Sequence, residues 1–313
     1  MTATADFRAS VVLVGGHESH HGADIRYLQD DLDRTTVSPA GRPLHNTVKR
    51  LLASSGEPVV VVPMTFGRDP SFVADVAKTL KWLSAGIEAP AAAVPRVALA
   101  PDFGTLDHLT AWLRTAATQV RQSNPEAAVL ISAASANPFD DAEVFRIAHL
   151  VRTHGAGNEV EVAIDDGRGG PAAVDKLKRL GFNEIVVVPA GFQRSPAGSW
   201  DNDADAGVRF YGPIMSERAV TLVVHQRVAD ALHSLGHGND GIDAGLMADH
   251  GHGYAHSHAF EEHSHEHGHD HGHPHTHDHA QHPSSRDHPD AFTREPEAAV
   301  RSHHHDNSLI HTQ

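Results

Sequence analysis

The segment GGHESHHG, residues 15–22, gathers three histidines and a carboxylate behind a short apolar run, SVVLV. Neutral imidazole is a common ligand for zinc, cobalt and nickel, and it titrates near physiological pH. One histidine can therefore take a proton or hold a divalent cation. His17, nearest the predicted strand, is the first candidate for both tasks, with Glu18 beside it as a catalytic carboxylate. His20 and His21 are candidate metal ligands, or else open a following helix and point outward.

A second chemical signal lies near the C-terminus. Residues 250–313 hold 19 of the 29 histidines. The densest run includes His263, His265, His267, His269, His271, His273, His275, His277 and His279, interleaved with Gly, Asp, Glu, Thr and Pro. Such a run lacks the apolar surface to offset its ordering entropy, so disorder is expected. Its imidazoles can wrap a divalent ion in many equivalent ways, and affinity should follow the Irving–Williams order. Metal buffering is the reading that composition favours. A solubility tail or a purification tag are the alternatives, and HHH at 303–305 is short for a tag.

The third signal is a repeat. VVVPMTFGRDP ends at Pro70 and VVVPAGFQRSP at Pro196, so Pro63, Phe66, Arg68 and Pro70 recur 126 residues later. Matched strand and helix patterns precede and follow both copies. Apolar β-branched runs such as EPVVVVPM suit parallel strands covered on both faces. They alternate with helical patterns such as LHNTVKRLLASSG and LDHLTAWLRTAATQV, which predicts β-α-β units. The expected fold is α/β: two similar lobes with parallel sheets from an internal duplication, followed by a disordered His-rich tail. The boundaries are read as 1–122, 123–235 and 236–313. Ligands of open parallel sheets bind beyond the carboxyl ends of the strands. GGHESHHG and both Pro-Phe-Arg-Pro loops fall at that edge. The second lobe reads SAASANPFDD where the first has its histidines, so Ser135 can correspond to Ser19 but nothing corresponds to His17.

Composition excludes several classes. Net charge is −15, of which 13 Asp and Glu against 3 Arg from Gly236 onward supply −10. No clustered Lys and Arg suit a nucleic-acid backbone. With no cysteine there is no disulfide, thiolate site or cysteine-ligated iron–sulfur cluster. No apolar run approaches the ~20 residues of a membrane span. MTATADFRAS has no signal-peptide pattern, so a cytoplasmic location is expected.

Residues 9–235 resemble the class II tetrapyrrole chelatases, and most of all the sirohydrochlorin cobaltochelatase family in its long, two-lobed form. That family opens with a strand followed by His-Gly-Ser. Here VLVGGHES sets His17 on the family histidine and Ser19 on its serine, with Glu18 replacing the glycine. ASANP, Ala134–Pro138, stands where the family has Gly-Ser-x-Asp-Pro. VVVPMTFGRDPSFVAD matches its strand–Pro–loop, with Asp75 on an acidic position, and VALAPDFGTLDHL its next strand. Some members also carry His-rich segments. The family's second histidine falls on Ser71 from one copy and on Ala197 from the other. The resemblance implies an enzyme, a lyase of cobalamin synthesis that inserts cobalt(II) into sirohydrochlorin, with nickel, iron and zinc as other metals. Ser19, Ser71, Ser135, Arg68 and Arg194 would then bind substrate. The two arginines would grip its carboxylates from opposite lobes, or else cap their own loops. A cobalt or nickel store on a chelatase scaffold is the second reading.

Overall fold

A computed structural model describes residues 8–85, 96–165, 168–198 and 200–249. The predicted tail, with His263 to His279, lies outside the described residues.

The first lobe runs β1 (Ser10–Gly15), a 3-10 segment (His17–Ile25), α1 (Leu28–Asp31), β2 (Thr35–Pro39), α2 (Arg42–Ser54), β3 (Val59–Met64), α3 (Pro70–Ala85), β4 (Val97–Leu99) and α4 (Leu106–Ser123). The second runs β5 (Ala128–Ala134), α5 (Pro138–His154), β6 (Val160–Asp165), α6 (Gly169–Arg179), β7 (Ile185–Pro189), β8 (Val208–Phe210) and α7 (Glu217–Gly236). A short α8 (Ile242–Leu246) follows. The sheets are β2-β1-β3-β4 and β6-β5-β7-β8, parallel throughout and identical in order. The duplication is thus present in the topology as well as in the loop sequence.

The runs predicted as buried strands are buried: every residue of β1 and β3 is covered. β2 and β8 escape the apolar-run test. Thr35–Pro39 is half-buried and polar, and Val208–Phe210 is three residues long at a sheet edge. The copies differ after their repeated loops. In the first, Pro70 opens α3; in the second, no helix stands between β7 and β8 among the described residues. Fully buried Asp201 anchors that connection by accepting hydrogen bonds from the amides of Ala197 and Gly198.

Two features tie the lobes together. α4 follows β4 in sequence but packs on α5 and β7 of the second lobe. α7 follows β8 but packs on β3 and β4 of the first. Each lobe is thereby roofed by the other's last helix, and one apolar core includes Val11, Val60, Val129 and Val186 together. The expected boundary at residue 236 falls at the end of α7. Residues beyond it return to the first lobe, where Ile242 is 1% exposed and the Leu99 amide donates to the Asp240 carbonyl at 2.8 Å.

Candidate active site

In the order β2-β1-β3-β4 the chain moves from β1 to one side and then crosses to the other. The crevice between β1 and β3 is the topological switch point, where doubly wound sheets hold ligands. His17 follows β1 directly, and the loop 65–69 follows β3.

The His17 loop is tightly folded. Ser19, His20, His21 and Gly22 depart from helical geometry, and His20, His21 and Gly22 are all left-handed. The turn doubles back so closely that a Cβ on Gly15 would lie 2.1 Å from the Gly22 nitrogen. Only glycine fits there. Ser19 holds the turn, donating to the Gly16 carbonyl and accepting from the Gly22 amide. It is fully buried and acts as a local brace.

His17 is 10% exposed at the side chain, and its Nδ1 lies 3.0 Å from Oδ2 of Asp69. That carboxylate fixes the proton on Nδ1 and leaves a lone pair on Nε2. Nε2 is buried and has no hydrogen-bond partner among the described residues. A buried polar nitrogen left bare costs about 1–3 kcal/mol, so its retention calls for a role. Burial raises the Asp69 carboxyl, but hydrogen bonds from His17, the Phe72 amide and the Ser71 hydroxyl outweigh it and hold the group below its ordinary value.

Asp69 escaped the motif reading, which fixed on Asp75. Asp75 is exposed and pairs with Lys78 on the surface of α3. The overlooked signal is local: an Asp directly before a helix-opening proline, whose Oδ1 accepts from the amide three residues on, is a capping residue. Ser71, where the resemblance predicts a second histidine, serves that same carboxylate.

The second lobe contributes Asp140, at the start of α5 and 3% exposed. Its carboxyl is raised first by burial and then by the charge of Asp69, opposed by Asn137, His17 and Arg68. Ser135 lies at the rim and donates to Asp141.

Glu18 and the arginines are placed otherwise than expected. Glu18 is 5% exposed, and both carboxylate oxygens are occupied, one by the Thr65 hydroxyl and one by the Phe66 amide at 3.0 Å. Its backbone carbonyl accepts from the Phe192 amide at 2.9 Å. A Cβ on Gly191 would meet that carbonyl at 2.5 Å. Glu18 is a joint between lobes, with one hydrogen bond accepted at each carboxylate oxygen.

Arg68 is 1% exposed and reaches into the second lobe. It donates to the carbonyls of Ala134 (3.3 Å) and Ala190 (3.5 Å), with Asp141 at 3.9 Å. A guanidinium sealed against backbone cannot pair with substrate carboxylates. Its repeat partner Arg194 pairs with Glu217 and lies 4.2 Å over the ring of Tyr27, in the first lobe. Phe66 and Phe192 stack at 5.1 Å, and Phe103 meets both edge-on. The repeated Phe-x-Arg is therefore a reciprocal fastening between the lobes, and neither arginine caps its own loop.

His20 bonds Asp24 at 2.6 Å and His21 is exposed. Neither joins His17: among the described residues no three His, Asp or Glu side chains gather as a metal site. No helix among them is long and apolar enough to cross a membrane.

No protein-family model and no curated protein matches the chain. Among solved structures it is similar to the sirohydrochlorin chelatase SirB from Bacillus subtilis subspecies spizizenii in complex with cobalt, at 14% identity and TM-score 0.45, over 73% of this chain and 97% of that one. It is similar to SirB from Bacillus subtilis with Fe3+, at 15% identity and TM-score 0.44, over 75% and 100% of the two chains. A multi-domain protein of Deinococcus radiodurans with structural similarity to chelatases gives 16% identity and TM-score 0.40, over 71% and 54%. These are likenesses of fold, and the functional reading rests on the residues of this chain.

Proposed function

We propose that the chain inserts a divalent metal, cobalt(II) first and nickel, iron or zinc as alternatives, into sirohydrochlorin or a related tetrapyrrole in cobalamin synthesis. The observation that carries the reading is His17: a buried, unbonded Nε2 at the switch point, with Nδ1 held by Asp69. Metal insertion must remove two pyrrole protons and deliver a cation stripped of water. A neutral imidazole whose tautomer is fixed offers one lone pair for either task. Asp69 stabilises the imidazolium that forms when Nε2 takes a proton. The motif VLVGGHES supports the same assignment. The charge that grips the macrocycle's carboxylates falls to groups other than Arg68.

A second reading is a cobalt or nickel store or chaperone. It is favoured by the lack of any three-ligand group among the described residues. Under it, metal is held by the histidines from His263 to His279.

Anaerobic absorbance spectroscopy with sirohydrochlorin and cobalt(II) separates the two. The enzyme reading expects metallation faster than without protein, abolished in His17→Ala and retained in a chain ending at Asp249. No acceleration in any form, with cobalt bound by the full chain and not by the chain ending at Asp249, would leave the store.

A further inference from the structure

A cavity of about 370 Å³ lies beside the candidate site, between α3, the end of β4, the last turns of α7 and residues 239–248. That is at the lower end of the ~300–1,000 Å³ typical of small-molecule sites. Val73, Leu99 and several alanines and glycines make most of its wall. The wall from 239 to 248 is fixed in place. A Cβ on Gly245 would sit 2.4 Å from Leu99 Cδ2, and Gly241, at φ +73°, would bring one 2.2 Å from the Leu99 carbonyl.

Three polar side chains line this apolar space: Asp102, Ser234 and Asn239. Asp102 follows β4 and is partly buried. Among the described residues nothing donates a hydrogen bond to its carboxylate, and the Ser234 hydroxyl is likewise unbonded. Asn239 uses its carbonyl oxygen on the Gly241 amide, which leaves its amide protons. The charged groups facing Asp102 are Glu18 from the His17 loop and Arg227 from α7. Arg227 is turned to the Phe103 carbonyl (3.4 Å) and to Asp230 (3.6 Å). Burial first, then the charge of Glu18, push the Asp102 carboxyl up to about 7 against the pull of Arg227.

We propose that this cavity is a binding site for a small organic ammonium ion, an apolar body carrying a primary amine that pairs with Asp102. The apolar wall takes the hydrocarbon, and the Ser234 hydroxyl accepts a second N–H. A bare metal ion is disfavoured because the cavity offers it one carboxylate and no imidazole. An anion is disfavoured because Asp102 and Glu18 both repel it. The site is separate from the His17–Asp69 pair and does not depend on the chelatase reading.

The test titrates the full chain with benzylammonium chloride and follows amide resonances by heteronuclear NMR. Saturable shifts at Gly241 and Gly245 are expected at pH 8. Affinity should fall about tenfold between pH 8 and pH 6, as a carboxyl titrating near 7 becomes protonated. Benzyl alcohol should bind more weakly by about tenfold or more, and Asp102→Asn should erase that preference. Ser234→Met, which fills the cavity and keeps Asp102, should abolish the shifts. No saturable shift, equal binding of benzyl alcohol, or unchanged affinity in Asp102→Asn would each overturn the proposal.

Discussion

Arg68→Met tests whether the repeated loop fastens the lobes together. Methionine retains much of the buried stem and removes the guanidinium. Two carbonyls, that of partly buried Ala134 and that of buried Ala190, then lose a donor. A buried acceptor left bare costs about 1–3 kcal/mol. The distances, 3.3 and 3.5 Å, are at the long end for hydrogen bonds, which argues for the lower half of the combined range. Loss of the guanidinium also leaves Asp141 without its nearest cation, at 3.9 Å. The expected destabilisation is about 3 kcal/mol. Arg194→Met supplies the internal comparison. Its side chain is 30% exposed, and its partner Glu217 is more than half exposed, so less than about 1 kcal/mol should be lost. Equilibrium urea unfolding, followed by far-UV circular dichroism and extrapolated linearly, measures both. A loss below about 1 kcal/mol for Arg68→Met would refute the fastening.

Asp69→Asn should lower the metallation rate by about 10–100-fold while the chain stays folded, because it unfixes the His17 tautomer. Its stability cost should be present above pH ~4 and vanish in stronger acid, since a carboxyl held below its unfolded value stabilises only while ionised. Asp102 has the opposite sign. A carboxyl raised to about 7 costs stability progressively as pH rises from ~4 to ~7, so Asp102→Asn should stabilise the fold at pH 8 and have little effect near pH 4, read from thermal melts. A chain ending at Gly236 should be less stable than one ending at Asp249 by about 2–4 kcal/mol, because it loses the buried Ile242 and the Leu99–Asp240 hydrogen bond.

The alternation of strands and helices was legible because β1, β3, β5 and β7 are central strands covered on both faces, and such strands read as unbroken apolar runs. Edge strands β2 and β8 carry no such signal, and α8 owes its place to packing on α3 that its five residues do not announce. His17 was legible from its position after the first run. Its partner Asp69 was not, because a capping aspartate looks the same whether or not it also holds an imidazole. The arginines failed for a different reason. The repeat showed that Arg68 and Arg194 matter twice, but not that each side chain is directed at the other lobe. Glu18 illustrates the same limit: its type suits catalysis, and only its contacts show that both oxygens accept hydrogen bonds from the loop after β3.

The exchange of α4 and α7 bears on ancestry. A precursor with one copy of the repeat that placed its last helix in the same way would need a second molecule to receive it. Such a pair is twofold symmetric, so any histidine in its first loop occurs twice. Joining the copies end to end releases them from that symmetry. Each position is then inherited independently, and one imidazole can be kept while SAASANPF drifts at the matching place. The lone His17 is what a fused pair permits and a symmetric one forbids.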